Sequence, residues 1–240
     1  MNRFSYSLFV LCGIIFFHQQ GYAAIAIEPV QLYLSDQAKQ RSTTLTFDSK
    51  REKISRNFEV KAVKWTQNEQ GQDIYEVDPS IMINPKAFIL KPDSKQMIRV
   101  GFNRPIASLG LKKEMSWRIV FTEIPSVIEE SGLNFAFNIS VPLFVGKQSD
   151  INIQLKIKKN NRNSYLNIYN IADSHIQIKE LSILDQSDKE VFKLDSMRYL
   201  LSQSQVNLEL GDLKIGDWNK YTVLIKTDKE EKGMKFKIME

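Results

Sequence analysis

Leu133-Asn-Phe-Ala-Phe-Asn-Ile-Ser-Val-Pro-Leu-Phe-Val145 alternates without a break. Leu133, Phe135, Phe137, Ile139, Val141, Leu143 and Val145 take every second place, with Asn134, Ala136, Asn138, Ser140, Pro142 and Phe144 between them. A period of two puts each row on its own face, so the stretch reads as a β-strand. It is long for a strand, where about five or six residues is usual. Pro142 has no N–H to give to a ladder, which suits an edge or a strand end. An edge strand exposes unpaired N–H and C=O groups and is ordinarily blunted with charge. No charged residue stands between Leu133 and Val145. Two readings follow. Either the edge stays open so that another chain pairs with it, or the stretch is a central core strand with Pro142 at its tip. In the first case main-chain bonds give affinity and the apolar row fills a groove, each large side chain contributing about 1.5–3 kcal/mol. Periodicity does not choose between them.

The same period runs outward in both directions. Before it lie Ala24–Leu34, Thr43–Phe47, Phe58–Trp65, Tyr75–Val77, Ala87–Leu90, Gln96–Phe102 and Met115–Glu123. Val63 and Trp65 leave the face that Phe58, Val60 and Ala62 share, which predicts a bulge. Gly146–Asp150 is a polar break, after which strands restart at Ile151–Ile157, Tyr165–Ile171, Ile176–Leu184, Glu190–Leu194, Val206–Leu210, Tyr221–Lys226 and Met234–Ile238. About seven strands per half, about 8–12 residues apart, predicts all-β architecture: two immunoglobulin-like β-sandwich domains. A single large barrel is the alternative, but the break and the length of 240 residues favour two domains.

The N-terminus bears on compartment. Arg3 precedes an apolar run, Ser5–Phe17, and Gly21-Tyr22-Ala23 places small residues at a cleavage position. This is the pattern of a secretory signal peptide, and the run is shorter than the roughly 20 residues of a membrane helix. The domain expectation is therefore 1–23 signal peptide, 24–146 first domain and 147–240 second domain. The only cysteine, Cys12, and one of two histidines, His18, leave with the signal. The mature chain then has no thiol nucleophile and a single histidine, His175, at a turn-like strand start where a solvent-exposed side chain is expected. No His-rich metal site can be built, and a lone histidine lacks catalytic partners. The carboxylates Glu129, Glu130, Asp185 and Asp188 fall in turn-like segments. The sequence thus points to a non-enzyme without cofactor. Net charge is +5, with lysines scattered along strands and no basic, aromatic-interleaved motif for nucleic acid. Trp65 is expected to fill a core.

Several stretches taken together resemble the periplasmic pilus-assembly chaperones of the chaperone–usher pathway (the PapD-like family). Ser80-Ile81-Met82-Ile83-Asn84-Pro85 with Phe88, Leu90 and Pro92 is similar to the family's PP-x-F-x-L-x-P passage, with Lys86 at its second proline. Gln96-Met97-Ile98-Arg99-Val100 is similar to its Q-x-IRI strand, Glu114, Trp117, Ile124 and Pro125 to its E…IP spacing, and Ser140-Val141-Pro142-Leu143-Phe144-Val145 to its last N-domain strand. The match is strong over Phe58–Val145 and weak beyond Asp150.

The resemblance implies two immunoglobulin-like domains in a boomerang and a periplasmic chaperone that donates an edge strand to pilus or fimbrial subunits. It then hands them to an outer-membrane usher. The implied subunit-binding donor row is Leu133, Phe135, Phe137, Ile139, Val141 and Leu143. Self-association that caps this strand is a further implied partner. Familiar members anchor the subunit's C-terminal carboxylate with an Arg and a Lys; the corresponding positions here are Gln31 and Pro142, uncharged. This departure is similar to the archaic branch. Arginine's fork binds carboxylate, so Arg118 is the first candidate anchor and Arg99 the second. Glu114 matches a family glutamate in an ion network between the domains; its other reading is an exposed loop carboxylate beside Lys112 and Lys113. The competing functions are a structural or adhesive immunoglobulin-like surface module and a β-sandwich hydrolase.

Overall fold

The computed structural model describes residues 25–35, 40–50, 52–125, 136–160, 163–211, 213 and 215–239. Among them, two short 3-10 turns interrupt a chain of strands. The first ten are β1 (Ala26–Glu28), β2 (Leu32–Leu34), β3 (Ser42–Asp48), β4 (Arg56–Gln67), β5 (Asp73–Val77), β6 (Met82–Asn84), β7 (Ala87–Leu90), β8 (Lys95–Gly101), β9 (Met115–Ile124) and β10 (Asn138–Val145). They form two sheets, β1-β3-β8-β6 facing β2-β10-β9-β4-β5, with β7 paired to one end of β4. Alternate residues from both sheets close one core, including Leu45, Phe47 and Ile98 from one side and Phe58, Phe121 and Leu143 from the other.

A second sandwich follows: β11 (Ile153–Asn160), β12 (Asn163–Asn170), β13 (Ile176–Leu184), β14 (Glu190–Leu200), β15 (Gln205–Glu209), β16 (Thr222–Thr227) and β17 (Met234–Lys237). Its sheets run β11-β12-β15 and β14-β13-β16-β17 around a separate apolar core. Two cores on one chain exclude the single barrel.

Two expectations need correction. Ala24–Leu34 is not one strand: β1 pairs with β3 in one sheet, and β2 pairs with β10 in the other. Nor is there a bulge in β4 against β9, whose register runs unbroken from Asn57↔Ile124 to Trp65↔Ser116. Val63 and Trp65 are apolar because their face of the strand is covered too. Phe58, Val60 and Ala62 point into the first core; Trp65 joins Phe144 of β10 and Leu201 of the second sandwich in a third cluster between the domains.

That third cluster is flanked by two polar ties. In the first, Glu114 is buried (3 % exposed). Its Oε1 accepts from the His175 main-chain N–H at 2.9 Å and from His175 Nδ1 at 2.6 Å, and its Oε2 accepts from Gln148 Nε2. The Glu114 main-chain N–H in turn donates to Asp173 O. The glutamate therefore ties β9 to the start of the second sandwich. His175 is the opposite of what its sequence neighbourhood suggested: it is fully buried. Its ring stacks on Phe144 at 3.3 Å, with Tyr33 at 6.0 Å, and Asp228 Oδ2 lies 3.7 Å from Nε2. A turn residue looks exposed within its own domain and is buried by the neighbouring one. Lys229 completes the wall, donating to Ser174 Oγ and Ser149 O; burial holds its pKa below the ordinary lysine value.

The second tie is the β4–β5 hairpin. Gly71, at φ +77°, lies so close to β15 that a Cβ there would meet Gln205 O at 2.5 Å. Its carbonyl accepts from Arg198 Nη2, and Glu69 O accepts from Gln205 Nε2. Gln67 serves three partners across the gap: Leu201 N–H, Ser204 Oγ and Tyr199 O.

Removing a buried acceptor leaves its donors unsatisfied. Glu114→Ala is expected to destabilise the chain by about 3 kcal/mol. Glu231→Ala, which breaks an ion pair whose glutamate is 84 % exposed, should shift it by less than about 1 kcal/mol. Urea unfolding followed by tryptophan fluorescence measures both.

Candidate functional site

β10 is hydrogen-bonded along its whole length on one side only. It runs antiparallel to β9 from Asn138↔Thr122 to Val145↔Met115. On its other side β2 pairs only with Leu143–Val145. Among the described residues nothing pairs with that side from Asn138 to Pro142.

The pairing phase decides which groups are left over. Glu123 N–H donates to Phe137 O at 2.8 Å, so residues whose numbers sum to 260 and are odd form the bonded pairs. Bonded and non-bonded pairs alternate in an antiparallel ladder. Ile139, Val141 and Leu143 therefore spend their main-chain groups on β9. Asn138, Ser140 and Pro142 turn theirs outward. Pro142, which has no N–H, occupies one of the outward positions, where its missing donor breaks no bond to β9.

The side chains divide the expected donor row. Val141 (4 % exposed) and Leu143 (0 %) point into the first core, and Ile139 packs partly against it. These positions face their own second sheet, so Val141 and Leu143 are not side chains a guest could bury; the reading of the whole row as one docking surface is corrected there. Phe137 is 37 % exposed. Leu133 and Phe135, like Glu129 and Glu130, lie outside the described residues. The two readings of the stretch are thus both partly right: it is a core strand by its side chains and an edge strand by its backbone.

The opposite face of the same strand looks toward the second domain. Pro142 sits directly across from Arg118 on β9. The Arg118 guanidinium lies over the Trp65 ring at 3.9 Å and 5.3 Å from the Tyr199 ring. Such a cation–ring contact holds the charge in place. Arg118 Nε is buried and has no hydrogen-bond partner in the structure. Around it, Gln31 Nε2 donates to the Tyr199 hydroxyl and Gln31 Oε1 accepts from the Tyr33 hydroxyl. Burial raises the pKa of Tyr199, with Gln31 and Arg118 pulling the other way. Burial raises that of Tyr33 too, helped by the charges of Asp228 and Glu114, so both phenols stay neutral donors. The wall is a cation with an unused N–H beside neutral hydroxyls, suited to receiving an anion.

Arg99, the second candidate, is on the far sheet: it lies on β8, exposed, with Nε donating to Ser42 Oγ. The structure does not bring it to β10. Glu114 belongs to the interdomain tie described above. The aromatic wall around Arg118 was missed by sequence reasoning; the only available signal was the apolar second face of β4 at Val63 and Trp65. Asp185 caps its own turn, accepting from Ser187 and Lys189 N–H, and Asp188 pairs with Lys235. No cluster of potential metal ligands occurs among the described residues.

No curated protein matches the sequence. Among solved structures, the chain is similar to one in the CsuC–CsuE chaperone–tip adhesion subunit pre-assembly complex from archaic chaperone–usher Csu pili of Acinetobacter baumannii. That match has a TM-score of 0.68 and 19% identity, over 91% of this chain and 100% of that one. The class 5 fimbriae chaperone CfaA matches with a TM-score of 0.58 and 18% identity, over 90% and 99%. The Escherichia coli chaperone DraB matches with 0.58 and 14%, over 90% and 96%. At these identities the likeness establishes the fold. The family model for the N-terminal domain of PapD, a pili and flagellar-assembly chaperone, matches residues 24–146. That is half of the sequence, and it contains both β10 and Arg118: the chain belongs to the PapD-like family of pili and flagellar-assembly chaperones.

Proposed function

We propose that this chain is a periplasmic pilus-assembly chaperone that holds a fimbrial subunit by pairing it with the open edge of β10 and passes it to an outer-membrane usher. The single observation that carries this reading is the unpaired main-chain edge from Asn138 to Pro142, in a strand free of charge. A guest strand laid there completes the sheet, since each outward N–H and C=O gains a partner that water otherwise supplies. Phe137 and the continuation of its row, Leu133 and Phe135, supply the apolar side chains that enter the guest. Residues 1–23 act as a cleaved export signal, 24–146 form the guest-binding domain and 147–240 the second. The chemistry required is binding, not bond-making.

Arg118 serves as the anchor for the guest's terminal carboxylate. Its place beside Pro142 supports this, as does its unpartnered Nε over Trp65. An anchor at one fixed point sets the register of an extended guest against β10, because each residue along a strand advances about 3.3 Å. The archaic Csu protein, crystallised with its tip subunit, supports placing this chain in the same branch. The adhesive-module alternative is disfavoured by family membership and by an edge that its own sheet leaves open.

Ser140→Pro is the sharpest test. It removes an outward N–H and none of the bonds to β9, and Pro142 already occupies the equivalent position two residues on. Stability should change by less than about 1 kcal/mol, whereas the yield of subunit co-purified from the periplasm should fall about tenfold or more. Phe137→Glu should abolish co-purification with the fold intact by circular dichroism. Unchanged capture by both variants would refute the proposal.

Arg118→Met should weaken capture of a synthetic C-terminal subunit peptide by about tenfold or more when the peptide ends in a free carboxylate. It should leave the binding of the amidated peptide unchanged. Isothermal titration with both peptides tests this, and equal losses would exclude the anchor.

A further inference from the structure

The point where the guest-binding strand enters the sandwich is held by a carboxylate that neither the domain junction nor the anchor uses. Glu123, on β9, is buried with its side chain 8 % exposed. Its main-chain N–H donates to Phe137 O at 2.8 Å, while its own Oε2 accepts from Phe137 N–H at 2.9 Å. In a regular ladder that N–H would go to the main-chain carbonyl of residue 123; here the side chain takes it. The remaining oxygen, Oε1, accepts from Arg56 Nη1 at 2.8 Å. Arg56 Nε donates to Glu52 Oε2, also at 2.8 Å, and its guanidinium lies 4.7 Å from the centre of the Phe137 ring. Burial alone would lower the pKa of Arg56, but the hydrogen bonds it donates to both carboxylates hold it above its ordinary value.

We infer that Glu123, braced by Arg56 and Glu52, is the positioning residue that sets the register at which the guest-binding edge of β10 starts along β9. The inference rests on the reading of Leu133–Val145 as that strand. Its physical content is separable. Phe137 is gripped three ways, by main chain, by carboxylate and by a cation on its ring, directly before the open edge of β10. A strand repeats every two residues, so a slip by one would exchange the inward and outward main-chain groups of β10. A grip on both main-chain groups of Phe137 forbids that slip. The clamp thereby fixes which main-chain groups of β10 face the guest, without touching the guest itself.

Amide hydrogen exchange on the purified mature chain tests the clamp directly. Glu123→Ala should speed exchange at Phe137 by about tenfold or more, with the Val141 and Leu143 amides, bonded to β9, unchanged. Glu123→Gln keeps an oxygen for the Phe137 N–H and should restore most of the protection. Arg56→Met removes the brace and should move Phe137 in the same direction as Glu123→Ala. Unaltered exchange at Phe137 would overturn the inference, as would equal acceleration through Leu143, which would mark a general loss of stability. The second arm uses the subunit that co-purifies with the wild-type chain. Glu123→Ala should retain less of it and Glu123→Gln as much as wild type; full retention by Glu123→Ala would overturn the positioning role. If the wild-type chain retains no subunit while the exchange arm behaves as expected, the clamp stands and the chaperone reading falls.

Discussion

The structure depends on one asymmetry: β10 satisfies its odd residues against β9 and leaves its even residues without a strand partner until Phe144. Everything else at the site is arranged around that constraint. An unpaired edge in an apolar strand invites aggregation, and nothing in the side chains of Asn138–Pro142 deters it. The strand tolerates the exposure because its odd side chains are sunk in a core that holds it flat and in register. Leu143, Val145 and their neighbours fix the strand; the even backbone groups can then wait for a guest. Core burial and edge exposure are two properties of one strand, separated by the two-residue period.

The anchor proposed at Arg118 is useful only at a fixed distance from the edge. Arg118 lies across from Pro142, so it shares the strand's own frame. Its aromatic bed does not: Trp65 comes from the first sandwich and Tyr199 from the second. The interdomain ties therefore bear on the anchor directly. Glu114 with His175 secures one flank, and Gln67 with the Gly71 turn secures the other. These ties are buried hydrogen bonds in a low dielectric, where a missing partner is far more damaging than a present one is stabilising. Such a junction holds one geometry and resists intermediate ones.

Much of this was legible in the residues. The two-residue period located nearly every strand of both halves, and the break after Val145 separated two cores. The charge-free run ending at Val145 contains the strand edge left unpaired from Asn138 to Pro142. Periodicity could not report what covers each face. It read Val63 and Trp65 as a bulge when the register shows a straight strand covered on both sides. It treated Leu133–Leu143 as one docking row, when Val141 and Leu143 belong to the chain's own core. It placed His175 in water because Ala172-Asp173-Ser174 reads as a surface turn; a second domain, invisible to local pattern, covers it. Each error has the same cause: burial depends on long-range packing, and neighbouring residues carry no trace of it.

The position of the proline unites the readable and the unreadable parts. Proline in a central strand breaks a ladder bond, so its presence at 142 argued for an edge. The structure adds the phase: the missing donor falls on the outward side, and only there could it be tolerated beside an intact pairing with β9. The same residue keeps Arg118 company on the face toward the second domain, where a lysine would have placed a second positive charge beside the guanidinium. Arg118 carries its charge on an aromatic bed with an unspent Nε–H. Its contacts with Trp65 and Tyr199 are therefore consequential. A lone guanidinium without that support would lose orientation to side-chain entropy. With it, the planar fork is already set before an anion arrives, which lowers the ordering that binding must impose.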